Sequence, residues 1–156
     1  MIRLKPDNTS CIFCEIVSKR ADASVVYEDE KVIAFMDIHP LGEGHVLVIP
    51  KHHAEYVQEL SAVQQKHLFS ISNQIIKAQR AVGFGEKGTN ILINDGKAAN
   101  QRVPHVHVHL VPRTKGDLFS SAFRVLLHIT GLMGMVTKRA TLEEQAAAIR
   151  ASLDQL

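Results

Sequence analysis

Three histidines fall within five residues: His105, His107 and His109, separated by Val106 and Val108. Side chains alternate across an extended strand, so this spacing places all three imidazoles on one face. Val106, Val108 and Leu110 then point to the other face and toward a core. Successive histidine Cα atoms would lie about 6.6 Å apart, two strand steps. An exposed strand face is more readily built from Thr, Lys or Glu, so a row of imidazoles points to chemistry. Two chemistries suit it. One is a three-histidine metal site. The other is nucleophilic catalysis, because a neutral imidazole with a pKa near about 6.5 offers a lone pair at pH 7. The spacing alone does not choose between them. A second cluster is Cys11 and Cys14, a C-x-x-C pair that supplies two of the four ligands a structural zinc requires. Two reduced cysteines packed in the interior are the other reading of that pair.

The elements that must position these groups follow from hydrophobic periodicity. Ile12, Phe13, Ile16 and Val17 recur at helical spacing. Residues 24–28 and 31–38 are apolar runs flanking Asp29-Glu30, which predicts a hairpin. Gly42 and Gly44 break the chain before a buried strand at 45–49, closed by Pro50. Ser61 with Gln64 forms a capping box at the start of a long helix, whose stripe is Leu68, Ile71, Ile75, Ala78 and Val82 and whose stop is Gly83. Strands follow at 89–94 and 105–111, the second ended by Pro112, with a polar loop at 95–104 between them. A second capping box, Thr141 with Glu144, predicts a C-terminal helix with Leu142, Ala146, Ile149 and Leu153 on one face. Strands joined by short turns, with helices inserted rather than alternating, predict a single antiparallel-rich α+β domain over residues 11–156, after a loose end at residues 1–10.

Composition excludes several classes. Hydrophobic residues are 46% and charged residues 22%, the mix of an ordinary globule, and 156 residues suffice for one core. A net charge of +2 is too small for a dedicated nucleic-acid binder. The first ten residues lack the apolar core of a signal peptide. The most apolar stretch, residues 118–136, contains Arg124 and His128, so no membrane span is expected. A cytoplasmic location follows, where Cys11 and Cys14 stay reduced. The surplus of apolar residues at 118–136 suggests an interface.

The string from His105 through Pro112 to Arg113 (HVHVHLVPR) resembles the signature of the histidine-triad (HIT) family. Cys11-Ile-Phe-Cys-Glu-Ile-Val17, Val26-Tyr-Glu28, Ala34-Phe-Met-Asp-Ile38, His45-Val-Leu-Val-Ile-Pro-Lys51 with His53, and Asn94-Asp-Gly96 appear in family order. The match is similar to the bacterial branch that holds the nucleoside phosphoramidases.

That resemblance implies an enzyme that binds a purine nucleotide and cleaves at its α-phosphorus through a nucleotidyl-histidine. The nucleophile would be His107, with His105 and His109 orienting it and shaping the charge. Asn94 and Gln101 would touch phosphate oxygens. Asp37 would accept the ribose hydroxyls, and Ile12, Phe13, Ile16, Phe35 and Ile38 would form the apolar base pocket; a turn residue and plain core are their other readings. His53 and His105 would complete a Cys₂His₂ zinc site with Cys11 and Cys14. That zinc would be structural, with no cofactor required for the chemistry. A homodimer is implied as well. His39, His67 and His128 match no motif. Asn100-Gln101-Arg102 stands where the family has Gly-Gln-Ser or Gly-Gln-Thr. Asn tolerates the positive φ of a glycine, whereas Arg102 replaces a hydroxyl and bears on the leaving group. The contrasting expectation is a zinc-binding, nucleotide-sensing module with vestigial catalysis.

Overall fold

The computed structural model describes residues 11–114 and 136–156. The expectations for residues 1–10, and for the apolar stretch up to residue 135, lie outside the described residues. Five strands form one sheet, β1 (Val25–Glu28), β2 (Val32–Met36), β3 (Val46–Pro50), β4 (Thr89–Leu92) and β5 (Val108–Pro112), in the spatial order β1-β2-β3-β5-β4. Every pairing is antiparallel. Among the described residues three α-helices accompany it: α1 (Ile12–Val17), α2 (Ala62–Ala81) and α3 (Arg139–Leu153).

The two faces of the sheet do different work. Val32, Ala34, Met36, Val46, Val48, Val108 and Leu110 join Leu68, Ile71, Ile75 and Ala78 of α2 and Leu142, Ala146 and Ile149 of α3 in the main core. On the opposite face Ile33, Phe35, Leu47 and Ile49 pack against Cys11, Phe13 and Ile16 of the α1 segment. Burial on both faces explains why β2 and β3 read as unbroken apolar runs. The β1–β2 hairpin turns at Asp29, whose Oδ1 accepts from the Lys31 and Val32 N–H groups at 2.8 and 2.7 Å.

Helix α2 starts and stops as its residues dictate. Ser61 Oγ accepts from the Gln64 N–H, and Gln64 Oε1 accepts from the Ser61 N–H. Gly83 takes φ 92°, and the Gly83 and Phe84 N–H groups return to the Arg80 and Gln79 carbonyls in a Schellman turn. Helix α3 departs from expectation. It begins at Arg139, with Lys138 as an N-cap that makes no side-chain bond, so Thr141 lies inside the first turn. One cap contributes only about 1 kcal/mol. An Arg139–Glu143 pair at 3.2 Å and the buried Leu142 hold that first turn instead.

Candidate active site

The paired strand β5 begins at Val108, three residues later than expected, so His105 and His107 precede it. Pro50, at the end of β3, has no N–H to extend the ladder. The Val106 N–H donates to the Ala54 carbonyl, and the Pro50 carbonyl accepts from His105 Nε2 at 2.8 Å. The side-chain alternation persists nonetheless. Val106, Val108 and Leu110 lie in the main core, and all three triad histidines are buried on the other side.

Proton positions follow from partners that have a single role. A backbone carbonyl only accepts, so the 2.7 Å contact from His107 Nδ1 to the His105 oxygen places the proton on Nδ1. In the neutral ring Nε2 then carries the lone pair. A backbone N–H only donates, so the Leu41 N–H at 3.0 Å makes His45 Nδ1 an acceptor. His45 Nε2 therefore bears the proton and donates to His109 Nδ1 at 3.1 Å. His109 in turn carries its proton on Nε2. Asp37 Oδ2 lies 3.6 Å from His45 Nδ1, too far to displace the Leu41 bond. The fully buried His45 was missed in the sequence, where it simply opens an apolar strand. The available signal was a lone polar residue at the head of a wholly buried run.

His107 and His109 line a cavity of about 380 Å³. Ile12, Phe13, Ile16, Phe35, Asp37 and Ile38, all expected at a nucleotide site, line the same cavity. Ile12 and Ile38 are 48% and 46% exposed, an apolar grip open to a planar ligand. The Phe13 ring meets the rings of His107, His105 and Phe35 edge-on at 5.2, 5.9 and 5.6 Å. Asp37 follows β2, and its Oδ1 accepts from the His39 N–H at 2.9 Å. His39, which matches no motif, lines the cavity too, as do Asp22, Arg102 and Val103.

His105 belongs to a different cluster. Its Nδ1 lies 3.6 Å from Cys11 Sγ and 3.7 Å from Cys14 Sγ, and His53 Nδ1 lies 3.3 Å from Cys14 Sγ. Both cysteines are free thiols. In a tetrahedral zinc site, sulfur and nitrogen ligands sit about 3.5 Å apart, so the donor set fits the ion in number, type and spacing. The Pro50 carbonyl fixes the His105 proton on Nε2 and turns the Nδ1 lone pair toward the thiols. Burial lowers the His105 pKa to about 4, so the ring is neutral at pH 7. Burial, with the neighbouring Cys11 thiol, raises Cys14 to about 11, so a metal entering would displace thiol protons. Helix α1, only six residues long, has little stability of its own. Among the described residues no ligand cluster joins His105, His107 and His109, so the three-histidine metal reading is set aside; in a second cluster, Asp37, His45 and His109, the two histidines bond to each other.

The structure does not bring Asn94 or Gln101 into the cavity lining. Asn94 lies just beyond β4. Gln101 fastens its loop: its Oε1 accepts from the Gly96 N–H, and its Nε2 donates to the Glu55 carbonyl, both at 2.8 Å. These bonds use one lone pair and one N–H, so a second Nε2 hydrogen stays available to a phosphate oxygen. Asn100 takes φ 66°, the left-handed conformation expected of it.

Three comparisons agree with this geometry. The HIT domain model matches residues 18–116. An uncharacterized HIT-like protein of Methanocaldococcus jannaschii is 42% identical over 107 residues, 69% of this chain and 81% of the relative. An adenosine 5′-monophosphoramidase of Schizosaccharomyces pombe is 38% identical over 104 residues, 67% of this chain and 74% of the relative. The crystal structure of a zinc-bound histidine triad family protein from Mycobacterium smegmatis superposes with a TM-score of 0.76 at 35% identity, covering 96% of each chain. With the alternating histidines, the five-stranded antiparallel sheet and these relatives in agreement, the chain belongs to the histidine-triad (HIT) family.

Proposed function

We propose that the chain is a nucleotide hydrolase or nucleotidyl transferase that cleaves at the α-phosphorus of nucleoside phosphoramidates or dinucleoside polyphosphates. One observation carries the reading: His107, its Nδ1 proton held by the His105 carbonyl, stands on the wall of a largely apolar cavity that also presents Asp37. His107 Nε2 attacks phosphorus as the bond to the leaving group breaks, and water then displaces the imidazole to release a nucleoside monophosphate. His109 Nε2–H serves as a donor to a phosphoryl oxygen or the leaving group. Ile12, Phe13, Ile16, Phe35 and Ile38 hold a purine base, and Asp37 accepts the ribose hydroxyls. Asn94 and the second Nε2 hydrogen of Gln101 contact phosphate oxygens, while the other Gln101 bonds fasten the loop. The relative from Schizosaccharomyces pombe, an adenosine 5′-monophosphoramidase by name, supports this substrate class.

Cys11, Cys14, His53 and His105 would hold a structural zinc, which would tie α1 to the sheet without an open coordination position for water. The zinc-bound Mycobacterium smegmatis protein supports this. We place the protein in the cytoplasm, on its free thiols and on the absence, among the described residues, of a helix able to cross a membrane. A homodimer is supported by an apolar edge: Ile91 and Leu92 of the edge strand β4 and Val63 and Phe69 of α2 are exposed. Phe69 also shares a groove with Ile93, the residue after β4.

The second reading, a zinc-binding, nucleotide-sensing module, is favoured by Arg102 standing where the family has a hydroxyl. Incubation with adenosine phosphoramidate and diadenosine tetraphosphate separates them. Release of AMP from either supports the enzyme; tight binding of both without turnover supports the module.

A further inference from the structure

We propose that Arg102 selects the leaving group: it favours substrates in which the α-phosphorus carries a phosphate or polyphosphate chain over those that carry an amine. The inference rests on the nucleotidyl-histidine reading above and narrows its substrate class. Arg102 lines the same cavity as His107 and His109. Unlike Arg20, Arg113, Arg139 and Arg150, which each bind a named oxygen, its guanidinium engages no group among the described residues. The backbone that carries it is held firmly. Gln101 is locked to Gly96 and Glu55 on one side, and His105 is locked to Pro50 two residues after Val103 on the other. The free cation is therefore anchored at the cavity rather than on a loose loop.

Its chemistry decides what it can assist. A guanidinium stays protonated, so it cannot hand a proton to a departing amine, as a hydroxyl relay can. Its fork of N–H donors matches two phosphate oxygens. When His107 Nε2 bonds to the α-phosphorus of a polyphosphate, the bond from phosphorus to the bridging oxygen breaks and its electron pair leaves on the phosphate chain. That chain departs as an anion, and Arg102 neutralises the charge without any proton transfer. Water then adds to phosphorus, the phosphorus–nitrogen bond breaks, and neutral His107 returns with release of the monophosphate. An amine leaving group, by contrast, must collect a proton as it leaves, and Arg102 offers it none.

The test compares wild type with Arg102→Ala, Arg102→Lys and Arg102→Ser on diadenosine tetraphosphate and adenosine phosphoramidate. Arg102→Ala should lower kcat/KM for the tetraphosphate by roughly tenfold or more, while the phosphoramidate changes by less than about threefold. Arg102→Lys should recover only part of the loss, because it keeps the charge without the fork. Arg102→Ser should shift the preference toward the phosphoramidate. Equal losses on both substrates, or an unchanged tetraphosphate rate, would overturn the inference while leaving the histidine mechanism standing. A binding measurement makes the test independent of turnover. In His107→Ala protein, adenosine 5′-tetraphosphate should bind more tightly than AMP, and adding Arg102→Ala should remove that difference. If the difference survives, Arg102 does not hold the phosphate chain. Turnover retained by His107→Ala alone would instead sink the underlying mechanism.

Discussion

His105 serves two sites at once: its imidazole faces the Cys11 and Cys14 thiols, and its backbone carbonyl holds the Nδ1 proton of His107 at 2.7 Å. The cluster that would hold zinc and the proposed nucleophile are thus joined through one residue. Moving the His105 backbone would free the His107 ring to rotate and change tautomer.

His107→Ala should lower turnover by roughly three orders of magnitude or more, while nucleotide affinity stays close to wild type. The residues proposed to hold base and ribose line the cavity from α1, β2 and the segment just after β2, so the substitution leaves them in place. Acid quench and mass spectrometry of wild type should show a nucleotidyl adduct on the peptide containing His107. An adduct on His109 would reassign the nucleophile.

Zinc should co-purify at about one ion per chain, as four ligands of the right type converge. Cys14→Ser should abolish the bound metal and lower Tm by several degrees, because six-residue α1 then loses its tie to the sheet. Metal analysis and thermal melting of untagged protein check both outcomes. Full metal content in the variant would remove Cys14 from the ligand set.

His45→Leu should lower kcat roughly 10- to 100-fold with little change in KM, because His109 loses the donor that sets its tautomer. It should also cost about 1–3 kcal/mol of stability by stranding the buried Leu41 N–H. His45→Gln, which can place an amide donor near the same point, should recover part of the rate. Steady-state kinetics beside urea unfolding distinguish the two effects.

Asp29 sets a pH dependence of stability. Burial pushes its carboxyl up, but the Lys31 and Val32 N–H groups, His67 and Tyr27 outweigh that and bring it down to about 2. The folded value lies below the unfolded value of about 3.9. Its contribution is therefore present above pH 4 and is lost as pH falls from about 4 to 2. Urea midpoints should favour wild type over Asp29→Asn at pH 7 and converge near pH 2. A gap that persists at pH 2 would show that the carboxylate charge is not the cause.

Paired charges placed on the apolar edge, Phe69→Glu with Leu92→Glu, should convert a dimer to a monomer in sedimentation velocity without lowering Tm by more than a few degrees. Both side chains are largely exposed in the single chain, at 48% and 41%. Wild type sedimenting as a monomer at micromolar concentration would remove the proposed dimer.

Local chemistry made much of this protein legible in its residues. The Ser61–Gln64 box and Gly83 delimit α2 as written, and the alternation from His105 to Leu110 separates imidazoles from core because strand geometry has a period of two. The apolar pocket residues and Asp37 were legible through their family pattern. Other features depend on partners distant in the chain, which no local pattern encodes. The start of β5 was set by Pro50, 58 residues before Val108, which has no N–H to offer. The bond that fastens Gln101 to the Glu55 carbonyl spans 46 positions. The His45–His109 bond spans 64 positions and appears only when β3 and β5 lie side by side. Sequence determined which groups were available; the packed sheet decided which lone pair each histidine presents, because a tautomer is fixed by its hydrogen-bond partners and those are brought together only by folding.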